Sequence, residues 1–347
     1  MKVSCSRKSR AFAVIIVLVA VTVLAMLAGA FAYAMKVEAR LAANTNNDAQ
    51  FYWIGRGGID RACWWLALEG NQPYSSKDQY WNHGPGDGME TNSPLAFESL
   101  DNFTIGPGTV SLSMTELESK ININTADAPM LQQVLTLMGV DAADISVIAD
   151  SVLDWIDPDD GTRMAGAESD YYQGLTPPYN AKNGPIDNID ELQLIKGVTP
   201  EMFAGGSPTN VTGNARQHLG FGSAPGQVPD YPFGLRDVFT PFSNGKINLL
   251  TADENVLELI PGMDTITAQN IIKFRDLGNE PPARDVGRLL AGANPQVMQQ
   301  VQRYVGVRGD TYEVRATATI GAVSHEYTAI LYRTGPNVQV VSFYRTK

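Results

Sequence analysis

Ala11 to Met35 is a run of 25 residues without a charge, and its only polar side chains are Thr22 and Tyr33. A helix rises 1.5 Å per residue, and roughly 20 apolar residues cross a bilayer. The run therefore tethers whatever follows it to a membrane, unless it is removed. Lys2, Arg7, Lys8 and Arg10 precede it with no accompanying acid. By the positive-inside rule this puts the tip in the cytoplasm and the bulk of the chain outside. A secretory h-region spans only about 7–15 residues. Ala32-Tyr33-Ala34 nevertheless fits an A-x-A cleavage site, so a plain anchor and a cleaved signal peptide both stay open.

A third alternative follows from what lies beyond the run. Val37, Leu41, Phe51, Ile54, Ile59, Cys63 and Leu66 recur at roughly helical spacing, so the apolar helix continues into an amphipathic one. A short basic leader, a hydrophobic half-helix and an amphipathic half-helix together resemble a type IV pilin-like N-terminus. That resemblance implies cutting by a prepilin peptidase between Ala11 and Phe12, followed by methylation of the new terminus. Ala11 stands where the family commonly has Gly. Pilins also carry a Glu at the fifth mature position, where it meets a neighbouring subunit's amino terminus. Here that position is Ile16, and no acid occurs before Glu38. A carboxylate in lipid needs a partner, so its absence suggests a subunit that has none.

The formal charge of −11 understates the acidity of the exported part, since without the basic tip about 22 bases face 37 acids. Such a surface repels phosphate backbones. Cys5 and Cys63 flank the apolar run and form no disulfide framework, which leaves one buried thiol expected at Cys63.

After the helix, residues 71–94 are crowded with Gly, Pro, Asn and Ser and read as a loop. Two short strand-like runs then flank Gly106-Pro107-Gly108, a hairpin signal. The C-terminal stretch holds three β-rich runs broken at Gly321 and at Gly335-Pro336-Asn337. In the first of them Tyr312, Val314, Ala316, Ala318 and Ile320 alternate with polar residues. Between these β-rich parts the chain is mostly helical, and it repeats itself. "KININTAD" at Lys120–Asp127 returns as "KINLLTAD" at Lys246–Asp253, 126 residues later. The interval is too long for a solenoid unit and points to two small related modules. In each, the Thr followed by Ala-Asp is the expected N-cap.

The second copy opens "INLLTADENVLELIPGMDTITAQNIIKFRD", which resembles a helix-hairpin-helix with Ala268, Ile271, Ile272 and Arg275 on its second helix. DNA-binding versions hold phosphate on hairpin amides. Here Asp264 stands in the turn, and Lys246–Arg303 carries six bases against seven acids, so no basic footprint is visible. Contact with protein is the better expectation.

The most polar segment places Asp154, Asp157, Asp159, Asp160, Glu168, Asp170, Asp187, Asp190 and Glu191 within 38 residues, against Arg163 and Lys182. With Asp157 as position 1 of a calcium loop, Asp159 falls at 3 and Glu168 at 12; Gly161 falls at 5 where an EF-hand has it at 6. Clustered hard oxygens without Cys or His favour Ca²⁺ over zinc. The alternative is a solvated acidic loop. Enzymatic signatures are absent: His83, His218 and His325 are scattered, no H-E-x-x-H or G-x-S-x-G occurs, and "GFGSAPG" at 220–226 lacks a following G-K-[ST].

The ordered pieces "DWIDPDD", "GAESDYY", "PPY" and "AKNGPIDNIDELQLIKGV" are similar to the signature region of the GspK family, the K-type minor pseudopilins of the type II (general) secretion system. The likeness runs from the leader to the last strands. It implies an α+β fold in which a pilin-like N-terminal helix packs on an antiparallel sheet. A large, mostly helical domain of two helix-hairpin-helix or SAM-like modules is inserted into it. The segments are then a leader (1–11), a transmembrane and amphipathic helix (12–70), a β domain (71–120 and 308–347) and the inserted domain (121–307). It further implies calcium in the inserted domain, with Asp157, Asp159, Glu168 and Asp170 as ligands and Asp160, Asp187 and Asp190 as a wider set. The expected protein is a non-enzymatic tip subunit, anchored in the bacterial inner membrane with its bulk in the periplasm. Its partners would be I- and J-type minor pseudopilins, the prepilin peptidase and secreted substrates, with no nucleic acid. A DNA-uptake protein, a minor subunit of a type IV pilus and a calcium-dependent secreted enzyme are the alternatives.

Overall fold

A computed structural model describes residues 8–84, 95, 98–206, 231–276 and 284–346, without the side chains of 8–13 and 39–47. The leader residues 1–7, most of 85–97 and the Gly-rich 220–226 segment lie outside the described residues.

In chain order the elements are α1 (Lys8–Leu68), β1 (Phe103–Ile105), β2 (Gly108–Glu116), β3 (Ile121–Asn122), α2 (Ala128–Met138), α3 (Ala142–Ile156), α4 (Ser169–Gln173), α5 (Pro200–Ala204), α6 (Leu235–Val238), β4 (Phe239–Thr240), β5 (Ile247–Asn248), α7 (Glu254–Glu258), α8 (Thr265–Arg275), α9 (Val286–Leu289), α10 (Pro295–Val301), β6 (Val305–Gly306), β7 (Thr311–Ile320), β8 (Val323–Thr334) and β9 (Asn337–Arg345).

The 61 residues of α1 make a rod about 90 Å long. Val14–Glu38 within it has a mean hydropathy of 2.9 and is fully exposed, long and apolar enough to cross a membrane. From Phe51 onward the helix packs on a five-stranded antiparallel sheet of order β1-β2-β7-β8-β9. Two glycines permit the close approach. A Cβ at Gly55 would come within 2.4 Å of the Tyr327 ring, and one at Gly58 within 2.8 Å of Val110. Phe51, Ile54, Ile59, Leu66, Val110, Leu112, Val314, Ala316 and Leu331 share this core. The alternation expected for the first C-terminal strand holds, with Tyr312, Val314, Ala316 and Ala318 all buried. Cys63 is half-buried against this core, and desolvation pushes its thiol up to about 11.

A second core belongs to the helical region, gathering Leu131, Val134, Ile148, Trp155, Tyr172, Leu249, Leu257 and Ile271 among others. Each copy of the repeat begins there as a two-residue parallel bridge, β3 with β4 and β5 with β6, which helical periodicity does not announce. The side-chain oxygen of each bridge Asn accepts a backbone N–H two residues on, Asn122 from Asn124 and Asn248 from Leu250. The N-caps differ from expectation. Asp127, not Thr125, caps α2 by accepting the Met130 N–H, and Asp253, not Thr251, occupies the N-cap of α7. A carboxylate reaches the exposed amides of the first turn, whereas Thr125 donates its hydroxyl back to Asn122 O.

The stretch after α1 is also more than a loop. Tyr74, Ser75, Ser76, Gln79 and Trp81 are buried, and Tyr80–Asn82 forms a 3-10 turn. Ser75 lies at a buried polar junction between the two cores. Asn248 Nδ2 donates to Ser75 O (2.9 Å) and to both Glu116 oxygens (2.9 and 3.0 Å). Arg333 Nη2 donates to Ser75 Oγ (2.9 Å) and Gly309 O (2.8 Å). Glu116 is only 1% exposed, and desolvation, then the Glu118 charge, push its carboxyl up to about 8.

Candidate functional site

The acidic segment folds onto the end of α3. Asp154 sits in the last turn of that helix, and Asp157 is its C-cap, with no base in the turn. Two carboxylates thus stand at the negative pole of a helix dipole, where cations are favoured and anions are not. Arg163, on the loop that returns beneath the helix, supplies the cation. Its Nη1 donates to Asp154 Oδ1 at 2.6 Å and also to Asp157 Oδ2. Its backbone N–H adds bonds to both Asp154 oxygens, at 3.2 and 3.3 Å.

The loop is held tightly at its far end. The Asp154 carboxylate lies against Gly166, where a Cβ would come within 1.9 Å of Oδ2. Ala165 N–H donates to Asp150 Oδ2, and Lys196 Nζ donates to Gly166 O at 3.0 Å while lying 5.0 Å from the Tyr171 ring centroid. Glu168, the N-cap of α4, is 4% exposed, and neither of its carboxylate oxygens has a hydrogen-bond partner. Desolvation, then the charges of Asp154, Asp157, Asp160 and Asp159, push it up to about 7. Asp157 Oδ1 is likewise buried and unpartnered.

The sequence candidates divide into two groups. Asp157, Asp159, Asp160 and Glu168 are brought into one electrostatic neighbourhood. Asp159 accepts the Gly161 N–H (2.8 Å), and Asp160 accepts from Asn183 (2.7 Å). Asp170 is exposed on the first turn of α4. Asp187 and Asp190 are exposed as well. Asp187 pairs with Lys182 at 2.7 Å, and Asp190 lies in a capping box of Asn188 and Glu191. Asp154 was missing from the candidate ligands although it is the most buried acid of the cluster. The available signal was the Asp150–Asp154 pair one helical turn apart, just before Asp157. Among the described residues no three acidic, histidine or cysteine side chains converge as a ready metal cage. The donor chemistry nevertheless fits a hard cation, through three buried, unpartnered oxygens, Oδ1 of Asp157 and both of Glu168.

The hairpin of the second repeat places α7, a turn with Gly262 at φ +87°, and α8 in succession. Asp264 caps α8 by accepting the Thr267 N–H at 2.6 Å, which holds its carboxyl below the usual range. An anion therefore already occupies the α8 N-terminus. Ala11 and Phe12 lie on the first turns of α1.

Residues 111–209 match the family model described as "Type II secretion system (T2SS), protein K". The putative type II secretion system protein K of Escherichia coli K12 is 36% identical over 76 residues, 22% of this chain and 23% of the relative. Type II secretion system protein K of Aeromonas hydrophila is 26% identical over 121 residues, 29% of this chain and 37% of the relative. The chain thus spans about a quarter to a third of the length of these relatives. A chain of the GspK-GspI-GspJ complex crystal structure, from the type 2 secretion system of enterotoxigenic E. coli, superposes with a TM-score of 0.64. The superposition covers 88% of this chain and 99% of that one, at 16% identity, which shows the fold.

Proposed function

We propose that this chain, whose residues 111–209 match the type II secretion system protein K family and whose fold is that of a GspK-GspI-GspJ complex chain, works as a K-type minor pseudopilin that starts pseudopilus assembly. The observation that carries the proposal is the combination in one fold. An exposed apolar half-helix runs into a sheet-packed half-helix, and a second, helical core lies between β2 and β7. Few soluble architectures need a wholly exposed apolar helix.

The apolar half anchors the protein in the bacterial inner membrane, with residues 71–347 in the periplasm. A leader ending at Ala11 is removed by a prepilin peptidase, and Phe12 becomes the mature terminus. The inserted domain is taken as 121–307 and the pilin-like β domain as 71–120 with 308–347. The structural neighbour belongs to a complex of K-, I- and J-type proteins, and by analogy I- and J-type minor pseudopilins are the partners here. The assembled tip supports export of folded proteins and performs no catalysis. Co-expression with I- and J-type subunits should give a complex that survives size exclusion in detergent. A chain that elutes alone under all conditions would refute the assembly role.

The acidic loop is proposed as a calcium site, with Asp157 and Glu168 as the principal ligands and Asp154, Asp159 and Asp160 beside them. Asp170, Asp187 and Asp190 keep a lesser claim because they are exposed or otherwise engaged. Asp157 at the end of α3 and Glu168 at the start of α4 would hold the ion, whose charge would offset that of the clustered carboxylates. The chain's own residues shape the cradle: Lys196 pins the loop carbonyls, and Gly166 leaves room for Asp154. Calcium at 100 times its Kd should stabilise the fold by about 2.7 kcal/mol. A chelator should reverse that in a thermal melt, and an unchanged melting curve would dismiss the site.

A further inference from the structure

Arg163 stands where the acidic cluster most needs positive charge. Its one nitrogen, Nη1, holds both Asp154 and Asp157, while both oxygens of the buried Glu168 and Oδ1 of Asp157 have no partner. Arg163 thus serves Asp154 and Asp157, while the neighbouring Glu168 has no such partner. Asp154 and Arg163 differ in how firmly they are fixed. Asp154 is fully buried and keeps two bonds from the Arg163 backbone N–H whatever the side chain does. The Arg163 side chain is 38% exposed and has an open route to solvent.

We propose that Arg163 is a built-in competitor for the divalent cation: its guanidinium holds Asp154 and Asp157 together in the metal-free protein and leaves Asp157 when the ion binds. The proposal rests on the calcium reading of the acidic loop given above. A guanidinium and a divalent ion cannot both hold Asp157 at close range without repulsion between their charges. The exchange moves only a side chain, because the backbone contact to Asp154 stays in place. It also accounts for the lack of a closed cage among the described acids, since Nη1 stands between two of them. The consequence is a site biased towards surroundings where calcium is plentiful, with a fold that does not collapse when calcium is scarce.

The test is calcium titration by calorimetry on the full chain in detergent, for wild type, Arg163→Gln, Arg163→Lys and Glu168→Gln. Removing the competing charge should tighten calcium binding about tenfold or more, equivalent to ~1.4 kcal/mol, and should lower the melting temperature of the calcium-free variant. Arg163→Lys keeps the charge and should stay near wild type. Equal affinities for wild type and Arg163→Gln would overturn the competitor role while leaving the calcium site intact. Absence of binding in all four proteins would overturn the calcium reading itself. Should Arg163→Gln not fold without calcium, the wild-type guanidinium resonance decides by NMR. Slow rotation without calcium that becomes solvent-averaged on its addition supports the exchange, and an unchanged signal refutes it.

Discussion

In the first copy of the repeat, Asn122 directs its amide onto Ser243 O, inside the helical region. In the second, Asn248 directs the same group onto Ser75 and Glu116, across the junction with the sheet-packed core. The caps diverge in parallel. Asp127 caps α2 and accepts the Tyr304 hydroxyl, whereas Asp253 makes no capping bond and reaches Lys77 instead. One octapeptide thus closes a module on itself in one place and docks that module onto its neighbour in the other. The shared Asx turn fixes the local backbone, and the partner of the Nδ2 group decides which role follows.

The sharpest way to break this comparison is through pH, because only the second copy meets a buried acid. Glu116 is raised from 4.5 to about 8, so over that window the folded protein holds a proton the unfolded chain has released. Stability should fall as pH rises from about 4.5 to 8, by up to ~1.4 kcal/mol per unit, and level off above it. Glu118 is raised by burial as well, and since its charge acts on Glu116 the difference between wild type and Glu116→Gln reports Glu116 together with that coupling. Denaturant titrations across this range should show the slope in the difference. Parallel profiles would mean that Asn248 does not dock on a protonated acid.

Next in size is the asymmetry between the two asparagines. Asn248→Ala strands buried oxygens of Ser75 and Glu116 and should cost about 2–4 kcal/mol, against about 1–2 for Asn122→Ala. Equal losses would remove the distinction between closing and docking. The smallest effect concerns the caps. Asp127→Ala should lose about 1 kcal/mol, while Asp253→Ala, which breaks an exposed ion pair, should lose less than about 0.5 kcal/mol. Chemical denaturation of both variants measures the pair, and a larger loss at Asp253 would reverse the assignment.

How much of this was legible follows from the range over which each signal acts. The period-2 alternation of residues 312–320 and the breaks at Gly321 and Gly335 are local, and β7, β8 and β9 appear where they indicate. The helix through Phe51, Ile54 and Leu66 was equally plain. The two-residue bridges β3–β4 and β5–β6 join segments 118 and 58 residues apart in register, and two residues carry no periodicity. Residues 74–81 have loop composition, yet Tyr74, Ser75, Ser76, Gln79 and Trp81 are buried because Ser75 and Gln79 find backbone and side-chain partners that no local pattern names. In the acidic loop, composition shows that acids are crowded together but not which of them meet. Asp187 and Asp190 belong to the wider acidic set in sequence, and only the fold sends them to Lys182 and a capping box. Arg163 reads as a stray base until Asp154 and Asp157 are seen on either side of it.

The glycines at 55 and 58 have a mechanical consequence. The Tyr327 ring and Val110 sit in the two recesses on α1, as teeth sit in a notch. Sliding the helix along the sheet by one turn, 5.4 Å, would bring larger side chains into those recesses against filled space. Tension applied to the exposed rod therefore cannot be relieved by slippage. It is passed instead through this keyed joint to the strands that carry Val110 and Tyr327.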